Sequence, residues 1–193
     1  EEVRHVFLNG NKLSNRLNNG FKIAELGFGT GLNFLSTLWL WRLKKQKGKI
    51  FYTSFEAFPL QPIEMLKAQN EFPELSDLKD EFCSLWSTLL EKGELSGNDY
   101  NLRLILGDAR RTINQFDTLV DCWFLDGFSP AKNPELWEED LLKNVYRCTV
   151  NGGTLSTYSA AGYVRRNLSL AGFQVERISG FGRKRHMTIA LKK

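Results

Sequence analysis

The chain has 193 residues and a mass of 22.2 kDa, with 42% hydrophobic and 25% charged side chains. That is the range of one globular α/β core, and it excludes wholesale disorder, a collagen-like repeat and a disulfide scaffold. The net charge of +4 is small but clustered, at 42–49, Arg110-Arg111, Arg165-Arg166 and Arg183-Lys184-Arg185, a distribution that suits a polyanionic partner.

In chain order, Phe21 to Leu26 reads as a short apolar strand, and Leu32 to Leu43, apolar nearly all round, as a buried helix. Ile50 to Phe55 is strand-like. Helices are expected from Pro62 to Asn70 and from Leu75 to Glu91, the second with Phe82, Leu85, Trp86, Leu89 and Leu90 on one side. A strand over Leu102 to Leu106 precedes a short helix from Ala109 to Phe116. The next strand, Leu119 to Leu125, precedes a helix from Pro134 to Val145 with proline at its start. Gly152-Gly153 leads into a strand from Thr154 to Tyr158 and a helix from Gly162 to Leu170. Phe173 to Ile178 and Met187 to Leu191 close the chain as two strands around a Gly- and Arg-rich turn. Strands alternating with helices predict a mostly parallel, doubly wound sheet, with the last two strands as an antiparallel hairpin at one edge. Residues 1–20 fit none of these units. They are expected to form an N-terminal extension in which Val6-Phe7-Leu8 is a short strand, ahead of one domain over 21–193.

Four stretches carry candidate chemistry. Glu25-Leu26-Gly27-Phe28-Gly29-Thr30-Gly31 joins the first strand to its helix. Its spacing is G-x-G-x-G, neither the dinucleotide fingerprint nor the phosphate loop of nucleotide hydrolases. Glycines there let a ligand approach the backbone at a helix N-terminus, where free N–H groups favour a carboxylate or phosphate. Glu56 ends the second strand, where an acid accepts hydrogen bonds from ribose hydroxyls. Asp108, after the third, either meets an adenine amino group or caps the next helix. Together these describe an adenosyl pocket with a loop for a charged tail, which suits S-adenosyl-L-methionine. The fourth stretch is Asp126-Gly127-Phe128-Ser129-Pro130-Ala131-Lys132-Asn133-Pro134. A carboxylate at this edge can orient an amine by accepting its N–H and can take its proton, and Phe128 can stack on a nucleobase.

The two His residues, His5 and His186, argue against a multi-His metal site and a His-centred triad, and the three separated Cys residues, Cys83, Cys122 and Cys148, argue against a structural zinc site. They lead to an expectation of no metal and a reducing, cytoplasmic setting. The apolar runs are too short to span a membrane. The 42–49 cations read as a solvated helix end, whereas Arg183-Lys184-Arg185 interrupts a strand pair and reads as functional. That turn is expected to stand away from the Gly27–Gly31 loop.

These stretches, with Leu32-Asn33-Phe34 after the loop, Thr157 to Arg166 and Gly180-Phe181-Gly182-Arg183-Lys184-Arg185, resemble the methyltransferase domain of the MnmC family along nearly the whole chain. The resemblance implies a class I S-adenosyl-L-methionine-dependent methyltransferase fold. It implies methyl transfer to the side-chain amine of 5-aminomethyl-2-thiouridine at the tRNA wobble position, giving 5-methylaminomethyl-2-thiouridine. By matching positions, Gly27, Gly29 and Gly31 hold the methionine part, Glu56 the ribose, Asp108 the adenine and Asp126 the accepting amine. Glu25, Phe28, Asn33, Ala57 and Ala109 complete the expected cofactor set. Phe128, Pro130, Lys132, Arg183, Lys184 and Arg185 form the expected substrate set, facing the anticodon stem-loop. Many members carry an FAD-dependent oxidase domain that this sequence lacks, so the chain is expected to be either an excised domain or a single-domain member to which a separate enzyme supplies the aminomethyl substrate. The sequence opens inside what resembles the family's Glu-x-x-x-Val-Phe-Leu-x-Gly-Asn stretch, so the chain is expected to begin partway through a longer protein. The alternatives are a class I methyltransferase of a protein or small-molecule amine, and a catalytically silent RNA-binding domain. The basic turn favours RNA; the intact set Glu25, Glu56, Asp108 and Asp126 argues against silence.

Overall fold

β1 (Lys22–Leu26) is the axis of an eight-stranded sheet in a computed structural model that describes residues 1–69, 75–127 and 130–193. β2 (Ile50–Glu56) and then β4 (Tyr100–Leu106) lie parallel on one side of it. β5 (Val120–Leu125) and β6 (Thr149–Thr157) lie parallel on the other. β8 (His186–Leu191) runs antiparallel between β6 and the edge strand β7 (Gln174–Ser179), which gives the expected hairpin. The strand order reverses across β1, so the carboxyl ends of β1 and β5 open a crevice, the usual ligand position in such sheets.

Both faces are covered. α2 (Leu32–Leu43) and α4 (Ser76–Lys92) pack one core around Phe34, Trp41, Phe82 and Trp86. α5 (Ala109–Thr112), α6 (Glu139–Arg147) and α7 (Gly162–Ala171) pack the other, with Ala109, Ile113, Trp137, Leu142 and Leu168. Burial all round suits α2, whose Phe34, Leu35, Leu38 and Trp41 face no solvent. α3 (Pro62–Gln69) precedes α4; the expected helix end at Asn70 lies outside the described residues. Consecutive residues of β5 feed opposite cores. Trp123 meets Phe55 and Phe116, and Phe124 meets Phe7 and Tyr52.

Three expectations are corrected. Val6-Phe7-Leu8 is no strand: Arg4–Asn9 is a π-helical turn that buries all three residues, followed by α1 (Leu13–Arg16). Three consecutive apolar residues carry no period, and here each finds the same core. The helix from Pro134 divides into a 3₁₀ turn, Pro134–Trp137, and α6, because Glu138 is extended and Trp137 is buried. An extra three-residue strand, β3 (Glu94–Ser96), pairs antiparallel with β4 at the other edge. No helix among the described residues is long and apolar enough to cross a membrane.

The N-terminal segment is pinned to the sheet by Asn11, which is fully buried. Its amide donates to Ser156 Oγ at 2.7 Å and to the Phe7 carbonyl at 3.1 Å, and its Oδ1 accepts from Thr154 Oγ1 at 2.7 Å. Truncating one partner strands the others in an apolar setting. Asn11→Ala is therefore expected to lower unfolding stability by about 2 kcal/mol, read as a fall in the urea midpoint at unchanged slope.

Candidate active site

The crevice at the strand ends is a cavity of about 520 Å³, lined by Gly27 and Gly29, Glu56 to Phe58, Gly107 to Arg110, and Asp126-Gly127. Asn133, Glu135, Leu136 and Tyr158 close it from the β5 and β6 side. The glycines are required by geometry. Gly27 has φ +88°, and a Cβ there would sit 3.4 Å from the Asp126 carbonyl oxygen. Gly29 has φ +52° with open space where a Cβ would project, so its backbone faces the cavity bare. Its N–H donates to Glu56 Oε2 at 2.9 Å, and the Phe58 N–H donates to Oε1 at 2.7 Å. Glu56 thus ties the first two strand-end loops together and keeps its remaining lone pairs for a ligand.

Asp108 takes the capping role: its Oδ1 accepts the Arg110 N–H at 2.9 Å. The Arg110 guanidinium also binds both oxygens, at 3.0 Å from Nε and 2.5 Å from Nη2. Those hydrogen bonds hold the Asp108 carboxyl below its usual range. Ala57 and Ala109 line the cavity beside these two acids.

Glu25 lies beneath the glycine loop and is 0% exposed. Its Oε2 accepts from Ser54 Oγ at 2.9 Å, and its Oε1 from Asn33 Nδ2 at 2.6 Å. The same Asn33 nitrogen donates to Asp126 Oδ2 at 2.7 Å. One amide therefore holds two acids, one under the floor and one at the wall. Burial pushes the Glu25 carboxyl well above its ordinary value, with Asn33 opposing and Asp126 adding to the rise. Burial likewise pushes Asp126 up to about 7; Asn33 and Lys184 oppose, and Glu2 adds to the rise.

The other expected residues separate. Phe28 turns into the core and stacks on Trp86 at 5.5 Å, while Gly31 is backed by the Phe28 ring, so neither lines the cavity. Lys132 is exposed outside it, and the Pro130 carbonyl accepts the Tyr163 hydroxyl at 2.9 Å. Phe128 lies outside the described residues. Arg183 and Arg185 are exposed on the β7–β8 turn. Lys184 is engaged: its Nζ lies 2.6 Å from Glu2 Oε1 and 4.2 Å over the Tyr158 ring. Among the described residues no hydrogen bond or ion pair joins this turn to Gly27, Gly29 or Gly31, but through Tyr158 it reaches another wall of the same cavity. Sequence reasoning missed Tyr158, Arg110, Glu135, Leu136 and the exposed Phe58. Tyr158 had a positional signal, being at the carboxyl end of a strand; Leu136 had none.

S-adenosyl-L-methionine fits the residues present. The bare Gly29 backbone, the free lone pairs of Glu56 and the capped Asp108 offer handles for its polar ends. The buried Asn33 Oδ1, beneath the loop, accepts no hydrogen bond from the described residues.

A raised carboxyl pKa is also a stability statement. Between about pH 4 and 7 the folded state binds the Asp126 proton more tightly than the unfolded chain, so the ionisation cost grows with pH and is complete above 7. Asp126→Asn removes that cost. The variant is expected to melt higher than wild type at pH 8, with the difference closing as the pH falls to about 4. Calorimetric melting across that range checks it.

Residues 73–193 match the model of a family described as S-adenosyl-L-methionine-dependent methyltransferase. Over 98% of its length the chain is 42% identical to the tRNA 5-methylaminomethyl-2-thiouridine biosynthesis bifunctional protein MnmC of Leptospira interrogans. It is 40% identical over 98% of its length to the protein of the same name from Marinomonas. It spans about 30% of the length of these curated relatives. Among solved structures, MnmC2 from Aquifex aeolicus is similar with a TM-score of 0.78 and 28% identity, over 100% of this chain and 60% of that one. The antibiotic-resistance methyltransferase Kmr shares the fold alone, at a TM-score of 0.53 and 11% identity over 91% of this chain and 89% of that one.

Proposed function

The chain belongs to the S-adenosyl-L-methionine-dependent methyltransferases, and from that premise we propose that it methylates the amine of 5-aminomethyl-2-thiouridine at the wobble position of tRNA, giving 5-methylaminomethyl-2-thiouridine. The names of the relatives support the substrate. The observation that carries the reading is Asp126, at the cavity wall on the Asn33 bridge, with its carboxyl near neutrality.

When bound, S-adenosyl-L-methionine supplies an electrophilic methyl group on a sulfonium. The chain's own residues do the rest. Gly27 and Gly29 receive the amino-acid end, Glu56 the ribose hydroxyls, and Asp108 the adenine side. An aminomethyl group arrives largely as ammonium and must lose a proton before its lone pair can attack. Asp126 accepts its N–H, orients the nitrogen and takes the proton, a task suited to a base that titrates near the working pH. Tyr158 and Leu136 line the cavity that holds the reacting centre. The wobble base leaves its stack to reach Asp126, and the exposed Arg183 and Arg185 meet the RNA backbone. We assign the supply of the aminomethyl group to a separate catalytic unit, and the setting to the cytoplasm.

Asp126→Asn and Asp126→Ala are expected to keep S-adenosyl-L-methionine binding by calorimetry and to lower single-turnover methyl transfer by about 10²-fold or more. Wild-type turnover by Asp126→Ala at saturating RNA sinks the assignment. Arg183→Ala with Arg185→Ala is expected to weaken tRNA binding and to reduce its salt slope by about 2. Filter binding across a salt series measures both.

A further inference from the structure

The basic turn divides into two kinds of cation. Arg183 and Arg185 face solvent, while Lys184 points back over the cavity wall. Its ammonium lies on the Tyr158 ring and within 2.6 Å of Glu2. The Tyr158 hydroxyl donates to the Gly127 carbonyl at 2.5 Å, one residue from Asp126. The turn itself is fixed. Gly180 N–H donates to the Arg185 carbonyl and Lys184 N–H to the Phe181 carbonyl, and His5 meets both the Ser179 carbonyl and the Phe181 ring. Two remote parts of the chain, residue 2 and residue 184, thus place one anion and one cation beside the same wall.

We propose that Lys184 and Glu2 form a balanced ion pair that positions Tyr158 and sets the field at Asp126, so that Lys184 is a positioning residue for the methyl transfer and not an RNA contact. Among the described residues, the titratable and charged groups facing Asp126 are few. From β1 comes Glu25, buried and shared through Asn33; from β2, Tyr52; after β6, Tyr158; and from the surface, Glu2 and Lys184. Of these only Lys184 is a cation. Removing Lys184 takes away the attraction and leaves Glu2 uncompensated, so both effects favour the protonated carboxyl. Removing Glu2 leaves the ammonium uncompensated and favours the carboxylate. Substitutions at the two residues must therefore act with opposite sign, which a loss of packing alone does not produce.

The inference rests on Asp126 as the amine-facing carboxylate, and its test is separable from the tRNA reading. The free protein, with carboxyl-labelled Asp and no RNA present, is titrated by ¹³C NMR; Asp126→Asn assigns the signal. Lys184→Met and Lys184→Gln are expected to move the Asp126 midpoint up by about half a pH unit or more, and Glu2→Gln to move it down by a similar amount. The Glu2→Gln, Lys184→Met double variant returns it close to wild type, Lys184→Arg keeps it in place, and Arg183→Ala and Arg185→Ala leave the titration unmoved. The acid limb of single-turnover methyl transfer follows the same order. Midpoints that stay fixed, or that move in one direction for both single variants, overturn the proposal even if tRNA is methylated. Split midpoints in a protein that methylates no tRNA sink the substrate reading and leave this one standing.

Discussion

The bond on which the site depends is the bifurcated use of one amide. Asn33 Nδ2 spends both of its hydrogens on carboxylates, one from β1 and one from the end of β5. Two acids that close repel when both are ionised and are costly to bury. The amide stabilises the charged forms, and the raised pKa values relieve the rest by keeping the proton. The bridge also joins α2 to two neighbouring strands at the point where the strand order reverses. The helix that opens the ligand loop and the strand that carries Asp126 are therefore one mechanical unit.

The surrounding polar bonds share a logic. Glu56 receives N–H groups from its own loop and from the glycine loop, and Asp108 receives the first turn of α5 and the Arg110 side chain. Each of these acids builds the loop it stands in and also lines the cavity. Few of the acid oxygens are left to move, and preorganised donors and acceptors cost little reorganisation when charge shifts.

Much of this was legible in the residues. The alternation of apolar runs predicted α2 over the span observed, β1, β2, β4 and β5 within a residue or two, and the terminal hairpin, while β6 begins five residues earlier than expected, at Thr149. Gly27, Gly29, Glu56, Asp108 and Asp126 share one cavity because a doubly wound sheet brings strand ends together. What stayed hidden depends on tertiary distance. Nothing local marks Asn33 as a link between residues 25 and 126, and nothing in Phe28 says that its ring turns inward to Trp86 while its neighbours turn outward. The π-helical turn of residues 4–9 and the brief β3 escaped for a simpler reason: one has no apolar period, and the other is too short and too exposed to show one.

β5 sends Trp123 into one core and Phe124 into the other, so the strand is gripped from both faces by large rings just before it ends at Asp126. A rod clamped on two sides does not pivot about its length, and its tip inherits the stillness of the clamp. The Asp126 carboxylate then stands at a fixed tip, where the Asn33 bridge meets it. A substitution at Trp123 or Phe124, neither of which lines the cavity, would therefore be felt at its wall.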